Sequence, residues 1–433
     1  MPLMIIKYKT HDLDNGLKIL LIPSESTYSV TIEALIRSGY ALENDTNQGL
    51  THFLEHISLA ATKKWPTKKE FTQITEFKGG SSNGSTSNET LHYYINVPYT
   101  EVEFGVDFIH QVLYQATINP KYLEQERTII LDEITKNDDD VYYKCFKYVN
   151  KNLSVHKSGY INDPAGTRES VKSFTRKDIL DHYKFAHDPS KVVICVTGNF
   201  DPKKMLAQLK KYFGKEKSVN KPLEFPEDET KTSQILVQED HKTDLVLANH
   251  IYKFLGGKDV TTRDYHEIGL LSVILSGPMG SRLMQRLREE EGLLYSINSR
   301  LMLCETFGVM NISYECPPEI YAKVLPIVNE EMLKLYEKGV NDKELDHFKT
   351  HVVNRNLVYY DNIHAISRLI RGPFFWGNEI MMLEDINKYI KGISKKTLND
   401  LVRKHLVPNE VNIAAYGNVN PKVQGVIEKS LKK

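Results

Sequence analysis

Cysteine is scarce in this 433-residue chain: Cys145, Cys195, Cys304 and Cys316 stand far apart, with no CxxC pair among them. No thiolate zinc site and no disulfide framework is legible in that spacing, so a reducing compartment is expected. An excess of one charge is missing too. Lys plus Arg number 56 and Asp plus Glu number 56, a formal net charge of +0. Nucleic-acid binders normally carry a basic excess, so no nucleic-acid partner is expected. No run approaches the roughly 18 uninterrupted apolar residues of a membrane span, and no membrane association is expected. The opening stretch, MPLMIIKYKTHDLDNG, has an apolar run far shorter than a signal-peptide core. It also lacks the Arg- and Ser-rich character of a mitochondrial presequence, and a soluble cytoplasmic protein is the expectation.

What is present is an ordinary globular balance, 41% hydrophobic and 26% charged, on a chain too long for one compact core. The chain also repeats itself. TRKDILDHYKFAHDPSKVVICVTGNFDPK at 175–203 aligns with SKKTLNDLVRKHLVPNEVNIAAYGNVNPK at 394–422, at a constant offset of 219. Each copy reads as a helix, a Pro break, a β-branched strand and a Gly-Asn turn. A fainter echo at an offset of 222 aligns KYLEQERTIIL at 121–131 with KELDHFKTHVV at 343–353. The period is far too long for a solenoid. The repeat implies two homologous halves, 1–213 and 232–433, joined by a polar, Pro-broken linker at 214–231. Strand-like runs at 17–23, 29–39, 90–97, 191–198, 233–239 and 411–417 alternate with helical stretches, so each half is expected to be α+β, a mostly antiparallel sheet backed by helices. The short polar gap at 23–28 predicts an early hairpin, and the acidic run NDDD at 137–140 reads as a solvated loop.

The chemistry is concentrated in HFLEH at 52–56. On a helix, His52 and His56 at i and i+4 project from one face, about a turn apart. Glu55 could then reach a water on a metal held by the pair. This HxxEH string inverts HExxH, and its logic is zinc plus a general base. A catalytic zinc takes a third protein ligand and keeps one position open. The helical stretch 121–135 offers Glu124, Glu126, Asp132 and Glu133, of which Glu126 and Glu133 are two turns apart on one face. In a chain with 15 histidines the string alone is suggestive of metal, with a His-rich surface helix as the alternative.

The neighbouring motifs change that balance. HxxEH followed 77 residues later by a glutamate resembles the inverted-motif zinc metallopeptidases pitrilysin, insulysin and mitochondrial processing peptidase. LDNGLKILL at 13–21 is similar to that family's opening strand, and GLTHFLEH at 49–56 to its zinc helix. GGSSNGSTSNETLHYYINV at 79–97 resembles the family's edge strand, with Gly84 where the family has Ala. AGTRESVKSFTRKDILDHY at 165–183 and SRLMQRLREEEGLLYSI at 281–297 resemble two further segments. The second half has no HxxEH, as in the degenerate half of these enzymes.

The resemblance implies a clamshell-forming fold that encloses a chamber. It also implies one zinc per chain held by His52, His56 and Glu133, with Glu55 as the base for a zinc-activated water. Glu126 matches the family's supporting glutamate, against a plainer reading as a solvated helix carboxylate. Asn83 would bind substrate that adds as a strand, or be simply a turn residue beside Gly84. Arg288 and Tyr295 would donate to substrate oxygens, unless they only pack. The implied activity is a zinc endopeptidase acting on short unstructured peptides. A dedicated processing enzyme for one peptide precursor and a non-catalytic subunit of the same fold are the alternatives. A two-domain chain of this size is expected to pair, as a homodimer or as a heterodimer with a related subunit.

Overall fold

A computed structural model of the chain describes residues 7–153, 159–219, 221, 223–227 and 230–430. Its strands form two separate sheets backed by helices, the expected α+β class. The first sheet contains β1 (Lys9–Asp12), β2 (Lys18–Pro23), β3 (Ser29–Ile36), β4 (Ser81–Thr86), β5 (Leu91–Pro98) and β6 (Val192–Gly198). Their order is β1-β2-β6-β3-β5-β4. Only β2 and β6 are parallel.

The expected hairpin between β2 and β3 is corrected here, because β6 lies between them. All seven residues of β6, VVICVTG, are buried. A strand buried on both faces must also pair its backbone on both edges, which places it inside the sheet.

The second sheet contains β7 (Ile235–Glu239), β8 (Val246–Leu255), β9 (Asn298–Leu303), β10 (Phe307–Cys316) and β11 (Asn412–Gly417), ordered β7-β11-β8-β10-β9. Here only β7 and β11 are parallel. The internal repeat is structural: helix Arg176–Ala186, β6 and helix Pro202–Phe213 recur as Lys395–His405, β11 and Pro421–Ser430. Both Gly-Asn turns need their glycine. Gly198 and Gly417 have φ of 129° and 107°, and a Cβ on either would overlap a backbone carbonyl, of Ser29 or Leu245.

The helices of the first half include α1 (Leu50–Ser58), α2 (Lys68–Phe77), α3 (Val102–Tyr114), α4 (Pro120–Asp139) and α5 (Val141–Leu153). The acidic run at 137–140 is largely the end of α4 and not a loop, with Asp139 ion-paired to Lys242 at 2.7 Å. The compact units do not match the contiguous division at 1–213 and 232–433. One is Met1–Lys136, Ser158–Pro226 and Asp361–Asn378; the other is Asn137–Lys157, Glu227–Tyr360 and Glu379–Lys433. The unit boundary at Pro226 falls inside the expected linker 214–231, of which residues 220, 222, 228 and 229 lie outside those described.

Each sheet thus recruits a helix from the other half of the sequence. In the first unit, α3 covers the face bearing Ile32, while helix Ile363–Trp376 covers the face bearing Glu33 and Thr197. Ser367 Oγ lies 2.9 Å from Thr197 Oγ1, and Arg371 ion-pairs with Glu33. In the second unit, α5 packs on β7 and β11, with Tyr148 Oη donating to the Val237 carbonyl at 3.0 Å. All four cysteines are buried, and none is in a disulfide. No helix among the described residues is long and apolar enough to cross a membrane.

Candidate metal centre

The helix α1 is amphipathic by register. Phe53, Leu54 and Ile57 enter the core, while His52, Glu55 and His56 emerge half-buried on the opposite side. The i, i+4 spacing brings the two imidazole centroids to 4.7 Å. On α4, Tyr122, Leu123, Ile130 and Ile134 are buried, which holds that helix against the core. Glu133 Oε2 then stands 3.7 Å from Nε2 of His52 and 3.7 Å from Nε2 of His56. One ligand atom from each residue falls within 4.8 Å of the others. Four ligands about 2.1 Å from a tetrahedral zinc lie about 3.4 Å apart, so these three fit the spacing such an ion needs.

The electrostatics fit as well. Burial, helped by the neighbouring His56, lowers the pKa of His52 to about 4, so its imidazole is neutral near pH 7 and can ligate. For His56 burial lowers the pKa, but a hydrogen bond to Glu126 and the charges of Glu133 and Glu55 outweigh it, and the net shift is upward. That surplus of negative charge around His56 is what a divalent cation would neutralise.

The four carboxylates left open on 121–135 now separate. Glu124 pairs with Arg127 at 3.1 Å, and Asp132 is outside the cluster. Glu126, 3% exposed, places Oε2 3.3 Å from His56 Nδ1, while its Oε1 accepts from Lys68 Nζ at 2.6 Å. That contact leaves His56 Nε2 free to face Glu133. Orienting a ligating histidine through its other ring nitrogen is a common task for a carboxylate. The solvated-carboxylate reading of Glu126 is excluded by its burial.

Glu55 is placed by Thr86, which sequence reasoning did not single out, and by Gly84, which it noted only as a departure from the family's Ala. Its Oε2 accepts from Thr86 Oγ1, on β4, at 2.6 Å. A Cβ at Gly84 would stand 2.7 Å from Glu55 Cγ and 2.9 Å from Oε1, so the missing methyl leaves room for the carboxylate. Burial raises the proton affinity of Glu55, and the Thr86 hydroxyl partly offsets that. Asn83 occupies the same strand, not a turn, and its Oδ1 accepts from the Gly84 amide at 2.9 Å. As the last strand in its sheet, β4 pairs only with β5 among the described strands, which leaves its other edge open for an added strand.

Arg288 and Tyr295 lie in the second compact unit, whereas the histidines lie in the first. They do meet each other. Arg288 Nη1 donates to the Tyr295 carbonyl at 2.8 Å, and its guanidinium sits 4.6 Å from the tyrosine ring centre. Tyr295 is 83% exposed, so core packing does not account for it.

The family model described as "Insulinase (Peptidase family M16)" matches residues 18–164, and the model described as "Peptidase M16 inactive domain" matches residues 173–351. A protein described as an uncharacterized zinc protease, YmxG of Bacillus subtilis, is 24% identical over 400 residues, covering 92% of this chain and 95% of that relative. A zinc protease of Rickettsia felis, likewise described as uncharacterized, is 25% identical over 396 residues, covering 90% and 93%. A protease structure from Helicobacter pylori superposes with a TM-score of 0.85 at 19% identity, over 95% of this chain and 99% of its own. The periplasmic protease PqqL of Escherichia coli superposes with a TM-score of 0.82 at 17% identity, over 99% of this chain but 50% of its own.

Proposed function

Because this chain belongs to the insulinase family of zinc proteases, peptidase family M16, we propose that it is an endopeptidase cleaving short unstructured peptides. The observation that carries the proposal is the convergence of His52, His56 and Glu133, with the Glu55 carboxylate on the same face of α1. A zinc ion held by these three would supply Lewis acidity, acidifying a water and polarising the scissile carbonyl. Glu55, with Oε2 engaged by Thr86, would take the attacking water's proton on Oε1 and pass it to the leaving amine. Glu126 would keep His56 in the tautomer that points Nε2 at the centre.

The substrate backbone would add along β4, where main-chain pairing tolerates many sequences, with Asn83 beside it. Arg288 and Tyr295 are the donors we assign to substrate carbonyl oxygens, each offering N–H or O–H groups. The degenerate second half belongs to the same reading, since the inactive-domain match begins at residue 173, well past HxxEH. An intact HxxEH set favours an enzyme over a non-catalytic subunit. We also propose that the chain pairs, with a second copy or with a related subunit; light scattering at the monomer mass, alone and with that subunit, would refute that part.

The test joins metal to turnover. Purified protein should hold about one zinc per chain and cleave unstructured peptides, and chelation should stop cleavage without unfolding the chain. Active protein free of stoichiometric transition metal would refute the assignment.

A further inference from the structure

The zinc-binding helix has no cap of its own. Its N-cap is Gly49, at φ 85°, which brings no side chain to the free amides of the first turn. Those amides are met from outside the helix, by Glu43. Its Oε2 accepts from the Gly49 amide at 2.7 Å and its Oε1 from the Thr51 amide at 2.6 Å. The carboxylate is 4% exposed, and burial pushes its pKa up to about 7 although these hydrogen bonds oppose the shift. A buried carboxylate is costly, so its place here calls for a reason beyond solubility.

The surroundings fix both ends of this contact. The Glu43 carbonyl accepts from Asn162 Nδ2 at 3.1 Å, and the Glu43 amide donates to the Tyr40 carbonyl at 3.0 Å. On the helix side, a Cβ at Gly49 would stand 2.6 Å from the Ala165 carbonyl, and one at Gly166 would overlap the Gln48 carbonyl. Ser170 Oγ closes the junction by donating to Gln48 O at 2.7 Å. Thr51, the residue whose amide Glu43 holds, also sets its Oγ1 3.0 Å from His182 Nε2. The next residue is His52. Each residue of slippage at the start of an α-helix rotates the later side chains by about 100°, so the anchor at residues 49–51 sets the direction of His52, Glu55 and His56 together.

We propose that Glu43 is a positioning residue for the metal centre: its carboxylate fixes the start of α1 and, through it, the bearing of both histidine ligands and the base. The positive end of the helix dipole favours a carboxylate at this place. This inference rests on the metallopeptidase reading above, and the test separates the two.

Zinc affinity is measured by competition with a chromogenic chelator on wild type, Glu43→Gln and Glu43→Ala, alongside kcat, KM and the melting temperature of each chelated protein. Outer residues that orient ligands typically contribute ten- to a hundredfold in metal affinity, so Glu43→Ala should bind zinc roughly tenfold more weakly. Its kcat should fall while KM changes little. Glu43→Gln keeps an oxygen acceptor for one of the two amides and should lose a lesser, several-fold part. Wild-type zinc affinity and kcat in folded Glu43→Ala, with only the melting temperature lowered, would make Glu43 a stabilising residue and overturn the proposal. If Glu43→Ala does not fold, unchanged zinc affinity in Glu43→Gln overturns it equally. Absence of zinc from the wild type would instead sink the metallopeptidase reading itself.

Discussion

Glu55 and Glu126 are carboxylates near the same histidine, and their surroundings give them different chemistry. Burial raises the proton affinity of Glu55, with one hydroxyl in partial compensation. Burial acts on Glu126 in the same sense, but hydrogen bonds from His56 and Lys68 outweigh it and hold the group below the usual carboxylate range. A group whose proton affinity is raised takes up a proton more readily and suits a base, while a lowered one stays ionised and orients its neighbour. Glu55→Gln should therefore keep its zinc and lose most peptide turnover, at least a hundredfold on the scale of general-base contributions. Glu126→Gln should show the reverse emphasis, a zinc affinity weaker by about ten- to a hundredfold with residual turnover at saturating zinc. Elemental analysis and peptide cleavage on the same preparations decide both, and near-normal turnover of Glu55→Gln would mean another group is the base.

Helix Arg176–Ala186 shows what burial does to an element as it ends. His187 is buried and the nearby His182 half-buried, and loss of solvent around each ring lowers their pKa values to about 3 and about 4. Neither ring nitrogen of His187 has a hydrogen-bond partner, and its ring meets Tyr183 edge-on at 4.5 Å. The unfolded chain binds these protons near pH 6.5, whereas the fold refuses them until far lower pH. Stability should therefore be full above about pH 6.5 and fall as pH drops below it, by up to about 1.4 kcal/mol per pH unit for each histidine. His187→Phe keeps the ring and removes one titration, so its urea stability should lose about one proton's worth less between pH 6.5 and 5. Parallel curves for wild type and variant would show that His187 contributes nothing to the acid limb.

At the scale of the whole chain, the exchanged helices tie each unit to residues from the other half of the sequence. Arg371 comes after every strand of the first sheet by more than 170 positions, yet it is the cation paired with buried Glu33, which also lies 3.3 Å from His92. Removing one partner strands the other charge in the interior, typically at about 3 kcal/mol or more. Arg371→Met should therefore destabilise the zinc-bearing unit, visible as zinc release at lower urea than in wild type. Arg371→Met combined with Glu33→Gln should recover part of that loss. Zinc release at an unchanged urea concentration in Arg371→Met would show that the helix stabilises its unit without this pair.

The sequence by itself determined what local periodicity and repetition can encode. An i, i+4 histidine pair has one geometry on a helix, and HFLEH at 52–56 forms one. The offset of 219 became two copies of helix, strand and helix, because similar local patterns fold alike. The runs at 17–23, 29–39, 90–97, 191–198, 233–239 and 411–417 became β2, β3, β5, β6, β7 and β11, but spacing alone revealed neither β8 nor the β9–β10 pair. Periodicity narrowed the four carboxylates of α4 only to a shared face and the family resemblance pointed to Glu133, but only the tertiary structure set that carboxylate against the two histidines. It alone placed Thr86 against Glu55 and Glu43 on the start of α1, contacts spanning 31 and 8 residues that no turn or capping rule predicts. Strand order and the helix exchange were decided there too. A wholly buried strand such as β6 carries no sign of its neighbours, and a bare sheet face is covered by whatever helix fits, however distant in sequence.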